Sequence, residues 1–171
     1  MSESISFVES DMTFGPFPTD SLYRIENAAE FEVQYRNGCK MSEAVVCRPE
    51  KNSILSIEAK TSFANPRSAE HGGESFQVDV QEIVEKLENS IDFFLKAKLC
   101  DYVPGAFSAI DYRTVTLLLI LVIKTHSPEW LPDVQDALNQ QIRSERRFDK
   151  LWHTEIVVLN EEMARRRGLV Q

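Results

Sequence analysis

From Val115 to Ile123 the chain runs through nine residues of which only Thr116 is polar, and this run limits the folds open to it. A membrane-spanning helix needs about twenty such residues, so the run is roughly half the required length. It reads instead as a strand over Thr114–Lys124 that is central in its sheet and covered on both faces.

The rest of the chain can provide that cover. Its 171 residues, 43% of them apolar, suit one domain with a sizeable core and no need of disulfides or structural metal. Cys39, Cys47 and Cys100 are odd in number and widely spaced, without the close pairs of zinc or redox motifs. They read as reduced thiols. The start, Met1-Ser2-Glu3-Ser4, lacks the basic and apolar regions of a signal peptide, so a cytoplasmic protein is expected. The net charge of -8 argues against a broadly basic nucleic-acid binder. Basic residues are nevertheless clustered, at Arg143, Arg146, Arg147 and Lys150 and again at Arg165, Arg166 and Arg167. Both clusters also fit solvated helix C-termini.

Along the chain, Asp20 is a candidate N-cap for a first helix carrying Leu22, Ile25 and Ala29. Phe31, Val33 and Tyr35 then alternate with polar residues as in a strand. Asn37-Gly38 signals a hairpin turn, with a second strand returning over about Cys39–Arg48. A further turn at Pro49-Glu50-Lys51-Asn52 leads into a third strand containing Ile54, Leu55, Ile57 and Ala59. A polar stretch from Ala64 to Glu74 reads as a mobile loop. Phe76, Val80, Ile83, Leu87, Ile91 and Phe94 then form the stripe of a long amphipathic helix able to cover the sheet. After the apolar strand, Ser127-Pro128 opens a helix that restarts or kinks at Pro132 and runs to about Arg147. Thr154–Leu159 is a last strand, and Asn160 caps a short helix ending near Gly168. The fold class expected is α/β, a mixed sheet with an antiparallel three-strand meander flanked by helices. One domain spans 1–171, with a core at about 20–125 and a helix–strand–helix extension at 126–171.

Opposed residues in a hairpin have a constant sum, so register follows from the turns. With Glu50-Lys51 at the second turn, Arg48 faces Ser53 and Glu43 faces Glu58. With Asn37-Gly38 at the first, Arg36 faces Cys39 and Glu32 faces Glu43. Alternation then gathers Glu32, Glu43, Glu58 and Lys60 on one face. Phe31, Val33, Ala44, Val46, Leu55 and Ile57 form the other, a core face awaiting a helix. Opposed carboxylates with Cβ atoms roughly 5 Å apart repel, and a hard divalent cation would relieve that repulsion.

The segment Ile57-Glu58-Ala59-Lys60-Thr61-Ser62 resembles the (D/E)xK half-motif of the PD-(D/E)xK, or restriction-endonuclease-like, nuclease superfamily. The order of helix, meander, helix and strand over about residues 20–125 is similar to that family's core. The resemblance implies that Glu43 and Glu58 bind Mg²⁺, or Mn²⁺, that the carbonyl of Ala59 is a further ligand, and that Lys60 is catalytic. Glu26 is the candidate for a first-helix glutamate that some members use, and Glu32 is an additional acidic candidate from the shared face. The implied activity is metal-dependent hydrolysis of nucleic-acid phosphodiesters, with DNA as partner and no membrane. One departure is Ser42-Glu43 where the family has Pro-Asp; the extra methylene alters metal geometry. Two alternatives stay open. A nuclease-like domain without catalysis would serve as a binding or regulatory subunit. An unrelated α/β interaction domain would carry Glu58 and Lys60 on a solvated strand face.

Other candidates point to no different chemistry. His71, His126 and His153 lack metal-ligand spacing and read as surface or loop residues. No glycine-rich phosphate cradle or nucleophile elbow is present. Ser62 reads as a strand end, Gln81 as solvated, and Trp130 and Trp152 as packing residues. Phe93 beside Phe94 widens the long helix's stripe, which suits a homodimer.

Overall fold

The computed structural model describes residues 3–25, 28, 38–67, 72–144 and 152–171. A five-stranded mixed sheet is ordered β3 (Leu22–Arg24), β4 (Ala44–Arg48), β5 (Ser53–Lys60), β6 (Thr116–Ile123) and β7 (His153–Asn160). The first three strands are antiparallel and the last three parallel, so β5 is the junction. Helix α1 (Gly72–Leu99) carries the chain from β5 to β6, and α2 (Leu131–Ser144) carries it from β6 to β7. Helix α3 (Glu161–Arg166) follows β7 directly. Asn160 caps it, its side chain accepting from Met163 N at 2.9 Å, and Gly168 follows with a φ of +69°. Among the described residues no helix is long and apolar enough to cross a membrane.

Two cores sandwich the sheet. On one face α1 and α2 pack over Val45, Cys47, Ile54, Leu117, Leu119, Leu121, Ile156 and Val158. On the other, Ala44, Val46, Leu55, Ile57, Ala59, Ile120, Val122 and Leu159 meet Phe7, Met12, Phe14 and Phe17. Strand β6 is thus covered on both sides, as its composition requires.

The cover of the second face differs from expectation. It is a hairpin, β1 (Ser4–Glu9) and β2 (Met12–Pro18), joined at Ser10-Asp11, with α3 beside it. Both turn residues have positive φ, 48° and 56°, as a two-residue type I′ turn demands. Phe7 and Phe14 stack at 5.2 Å between centroids. Gly15 lies where an added Cβ would come within 2.9 Å of the Ile5 carbonyl, and its N–H donates to Leu169 O at 3.0 Å. The hairpin is therefore stitched to the C-terminal tail.

Three other expectations change. The helix placed from Asp20 is instead a 3₁₀ turn at Thr19–Ser21 followed by β3. Leu22 and Tyr23 are both buried, one in each core, so alternation across a sheet overrides the helical spacing of Leu22 and Ile25. The returning strand begins at Ala44 rather than Cys39. The edge of β4 belongs to β3, pairing Leu22↔Val46 to Arg24↔Ala44, so the register of the Asn37-Gly38 hairpin does not extend across it. Phe31, Val33 and the other residues of 29–37 lie outside the described residues, as do Glu26 and Glu32. The polar stretch after β5 is anchored where it is described: Ala64 N donates to Asp79, and Arg67 pairs with Asp133, each at 2.8 Å.

The apolar stripe of α1 is buried as expected, and Val84, Phe93 and Ala97 are buried beside it. Its width is consumed within the chain, and the feature that suggested a homodimer no longer calls for one.

Phe14 is fully buried between the hairpin and the sheet. Phe14→Ala is expected to destabilise the protein by about 3–5 kcal/mol, measured by urea unfolding. A loss below about 1 kcal/mol would show that the hairpin is not part of the cooperative core.

Candidate active site

The second turn delivers the predicted register. Arg48 pairs with Ser53 and Ala44 with Ile57, around a turn at Pro49–Lys51 with Asn52 left-handed at φ 43°. The regular ladder stops at Ala44. Glu43 N then donates to Ile57 O at 3.0 Å, and Arg24 Nε donates to Glu43 O at 3.3 Å. Glu43 is thereby fixed at the start of β4, beside the end of β5 that carries Glu58 and Lys60.

Alternation along β5 puts Ile54, Ser56, Glu58 and Lys60 on the helix-covered face. This corrects the expected arrangement, in which the face of Ala44, Val46, Leu55 and Ile57 is the one awaiting a helix. Glu58 is fully buried and Glu43 is 3% exposed. The side chain of Ala59 packs in the opposite core, so only its main chain is a candidate ligand.

Helix α1 runs back along β5, and the two elements match step for step. Two strand residues advance about 6.7 Å and four helix residues about 6 Å. Lys60 Nζ donates to Glu82 Oε1 at 2.6 Å, and Lys86 Nζ donates to Glu58 Oε1 at 2.7 Å. One step further in, Ser56 and Ser90 are bridged by Ser42. Ser42 lies 3.0 Å from Ser56 and 2.8 Å from Ser90, hydroxyl to hydroxyl, and Ser42 N donates to Ser90 Oγ at 2.6 Å. Ser90 donates its one proton to Lys86 O at 2.6 Å. Ser42 must therefore donate to Ser90, and Ser56 to Ser42, because each hydroxyl has a single hydrogen. All three serines are fully buried.

The result is a polar ladder between sheet and helix, closed by serines at its inner end and open at the outer. Side-chain exposure follows that order: none at Glu58, 17% at Lys86, 24% at Lys60 and 26% at Glu82. Lys40, half exposed, lies 3.7 Å from Glu82 at the mouth. An open groove lined by Lys40, Gln77, Val78, Gln81, Glu82 and Glu85 leads there.

The electrostatics follow from burial. Loss of water pushes the Glu58 carboxyl up to about 7, against the pull of Lys86 and Lys60. Burial also pulls on Lys86, but attraction to Glu58, with Glu43 and Glu82, outweighs it and raises that pKa. Lys86 is an ammonium throughout the physiological range. The hydrogen bond from Lys60 holds Glu82 below its ordinary value. The nearest charge offsetting buried Glu58 thus comes from Lys86, a residue that periodicity alone did not single out. Its signal was present: Ser90 interrupts the apolar stripe, and Lys86 and Glu82 lie one and two turns before it.

Glu58 Oε2 is buried and has no hydrogen-bond partner among the described residues. Such an oxygen suits a hard cation. Among the described residues no group of three or more His, Cys, Asp or Glu is placed to hold a metal. The site thus offers one or two carboxylates, fewer ligands than a closed all-protein metal cage requires.

The other candidates fall elsewhere. His126 is buried rather than superficial, its ring 5.3 Å from Trp130 and 6.2 Å from Phe63, and burial lowers its pKa. His153 is exposed at an edge strand; His71 lies outside the described residues. Ser62 and Gln81 are exposed. Of the basic clusters, Arg165 and Arg166 pair with Glu161 and Glu162 one turn earlier. Arg146, Arg147 and Lys150 lie outside the described residues.

No family model, curated protein or solved structure matches the chain.

A carboxyl whose folded pKa exceeds its unfolded value contributes stability that is complete below the unfolded pKa and is lost as pH rises through the folded one. For Glu58 that window runs from 4.5 to about 7. The stability of wild type relative to Glu58→Gln should fall across it by up to about 1.4 kcal/mol per pH unit and level off above. Urea unfolding from pH 4.5 to 8 checks this; a difference that rises with pH would contradict the assignment.

Proposed function

We propose that this chain is a restriction-endonuclease-like domain and a Mg²⁺-dependent phosphodiesterase acting on nucleic acid, DNA in the first instance. The observation that carries the reading is the unpartnered, buried Glu58 Oε2, on the strand end shared with Lys60 and next to the start of β4, where Glu43 lies. The core order supports it: an antiparallel meander, a crossover helix and a parallel strand. The position supports it too, because ligands of open α/β sheets bind outside the carboxyl ends of the parallel strands.

In this reading Glu43 and Glu58 hold the cation, with the Ala59 carbonyl as the candidate third protein ligand. A divalent ion held there would supply an acidified water and polarise a phosphodiester oxygen. Lys60, at the accessible end of the ladder, stabilises the negative charge that develops on the phosphate as the water attacks. The serine bridge keeps β4, β5 and α1 in register, so that both carboxylates stay on the same side of the sheet end.

A second reading, a nuclease-like binding or regulatory domain without catalysis, is favoured by one observation. Glu58 and Lys60 already have ionic partners within the chain at 2.7 and 2.6 Å.

Thermal unfolding with and without millimolar Mg²⁺ or Mn²⁺ separates the two. Wild type should gain several degrees, since a ligand of the native state must stabilise it, and Glu58→Gln should gain nothing. Lys60→Ala should keep its melting temperature within a few degrees, because a part-exposed ion pair contributes about 1 kcal/mol or less. Its cleavage of DNA should drop about 100-fold or more. A wild type that neither responds to metal nor cleaves nucleic acid leaves the second reading.

A further inference from the structure

The ladder allows its charges to be passed along it. Lys86 is within electrostatic reach of Glu58, Glu43 and Glu82 and makes its short hydrogen bond to Glu58. Glu82 lies four residues earlier on the same helix, and a glutamate four residues before a lysine is the orientation that favours an intrahelical pair. Glu82 is held by Lys60 at 2.6 Å and has Lys40 at 3.7 Å. The lysine stem is long and flexible enough to exchange one carboxylate for another one turn away.

Resting on the metal-site reading above, we propose that Lys86 is a tethered counter-cation, holding Glu58 until a divalent ion takes that carboxylate and then moving outward toward Glu82. A divalent ion on Glu58 Oε2 and the Lys86 ammonium on Oε1 repel one another in a buried site, so metal entry favours moving the ammonium off the carboxylate. The displaced charge stays on a face already closed at its inner end by Ser42, Ser56 and Ser90, which leaves the outward step to Glu82. Lys86 then acts as a positioning residue rather than a catalytic one.

The test is Mn²⁺ binding to the full chain at pH 8, followed by the spin-resonance signal of the free ion, for wild type, Lys86→Met and the double variant Lys86→Met/Glu58→Gln. Removing the competing ammonium should tighten Mn²⁺ binding about tenfold or more, the scale of a charge-assisted hydrogen bond, and the double variant should lose that gain. Equal or weaker binding by Lys86→Met, with wild type still binding, overturns the exchange and leaves the metal site standing. Absence of binding in both proteins removes the metal site and the exchange together. Should Lys86→Met fail to fold, the side-chain ammonium resonance of Lys86 in wild type, identified through Lys86→Arg, gives the same answer. It should shift on saturation with Mg²⁺; an unmoved resonance at saturation overturns the proposal.

Discussion

Glu58 is a carboxylate with no exposure, under a helix, and the architecture at this end of the sheet follows from that burial. Taking an ionised carboxylate out of water costs several kcal/mol even after relaxation, and removing its partner costs about 3–5 kcal/mol more. Lys86 supplies the counter-charge, but a lysine can do so only if α1 lies at one height and one rotation over β5. The serine bridge sets both, since Ser90 ties the turn after Lys86 to Ser42 and through it to Ser56. A polar ladder inside an otherwise apolar interface specifies one arrangement, because any slip leaves buried groups unsatisfied.

The fold puts this ladder where chemistry has access. Strand β5 is antiparallel to β4 on one side and parallel to β6 on the other. The crossover into α1 therefore leaves from the end where β4 begins, bringing Glu43, Glu58 and Lys60 to the same rim. The covered faces do the remaining work. Hairpin β1–β2 and α3 close one side and α1 with α2 close the other, leaving the ladder's outer end near Lys40 and Glu82 as the part open to solvent.

Much of this was legible in the sequence. Strand β6 could be read because nine consecutive residues admit few alternatives, and α1 because its apolar stripe repeats from Phe76 to Phe94. The register of β4 on β5 followed from the length of the turn at Pro49–Asn52 alone. The hairpin was not legible: Ser10-Asp11 adopts the backbone of an Asn-Gly turn without its residues. Strand β3 was misread because Leu22 and Ile25 happen to sit three apart. In the site, Glu58 and Lys60 were found because they are two apart on one strand. Their partners Lys86 and Glu82 are 28 and 22 residues further along, and no local pattern links them; the pairing arises only when the helix folds back. The hairpin's place over the Ala44, Val46, Leu55 and Ile57 face, where a helix was expected, was hidden for the same reason, since which face a helix covers is decided by the crossover and not by the strand.

The most direct test of the account is the anomalous diffraction of Mn²⁺ in crystals of the full chain. A peak within coordination distance of Glu58 Oε2 and a Glu43 carboxylate oxygen, with the Lys86 ammonium drawn off Glu58, is the result predicted. Crystals saturated with Mn²⁺ that show no peak there and retain the Lys86–Glu58 pair would contradict it, and the ladder would then stand as a structural device alone.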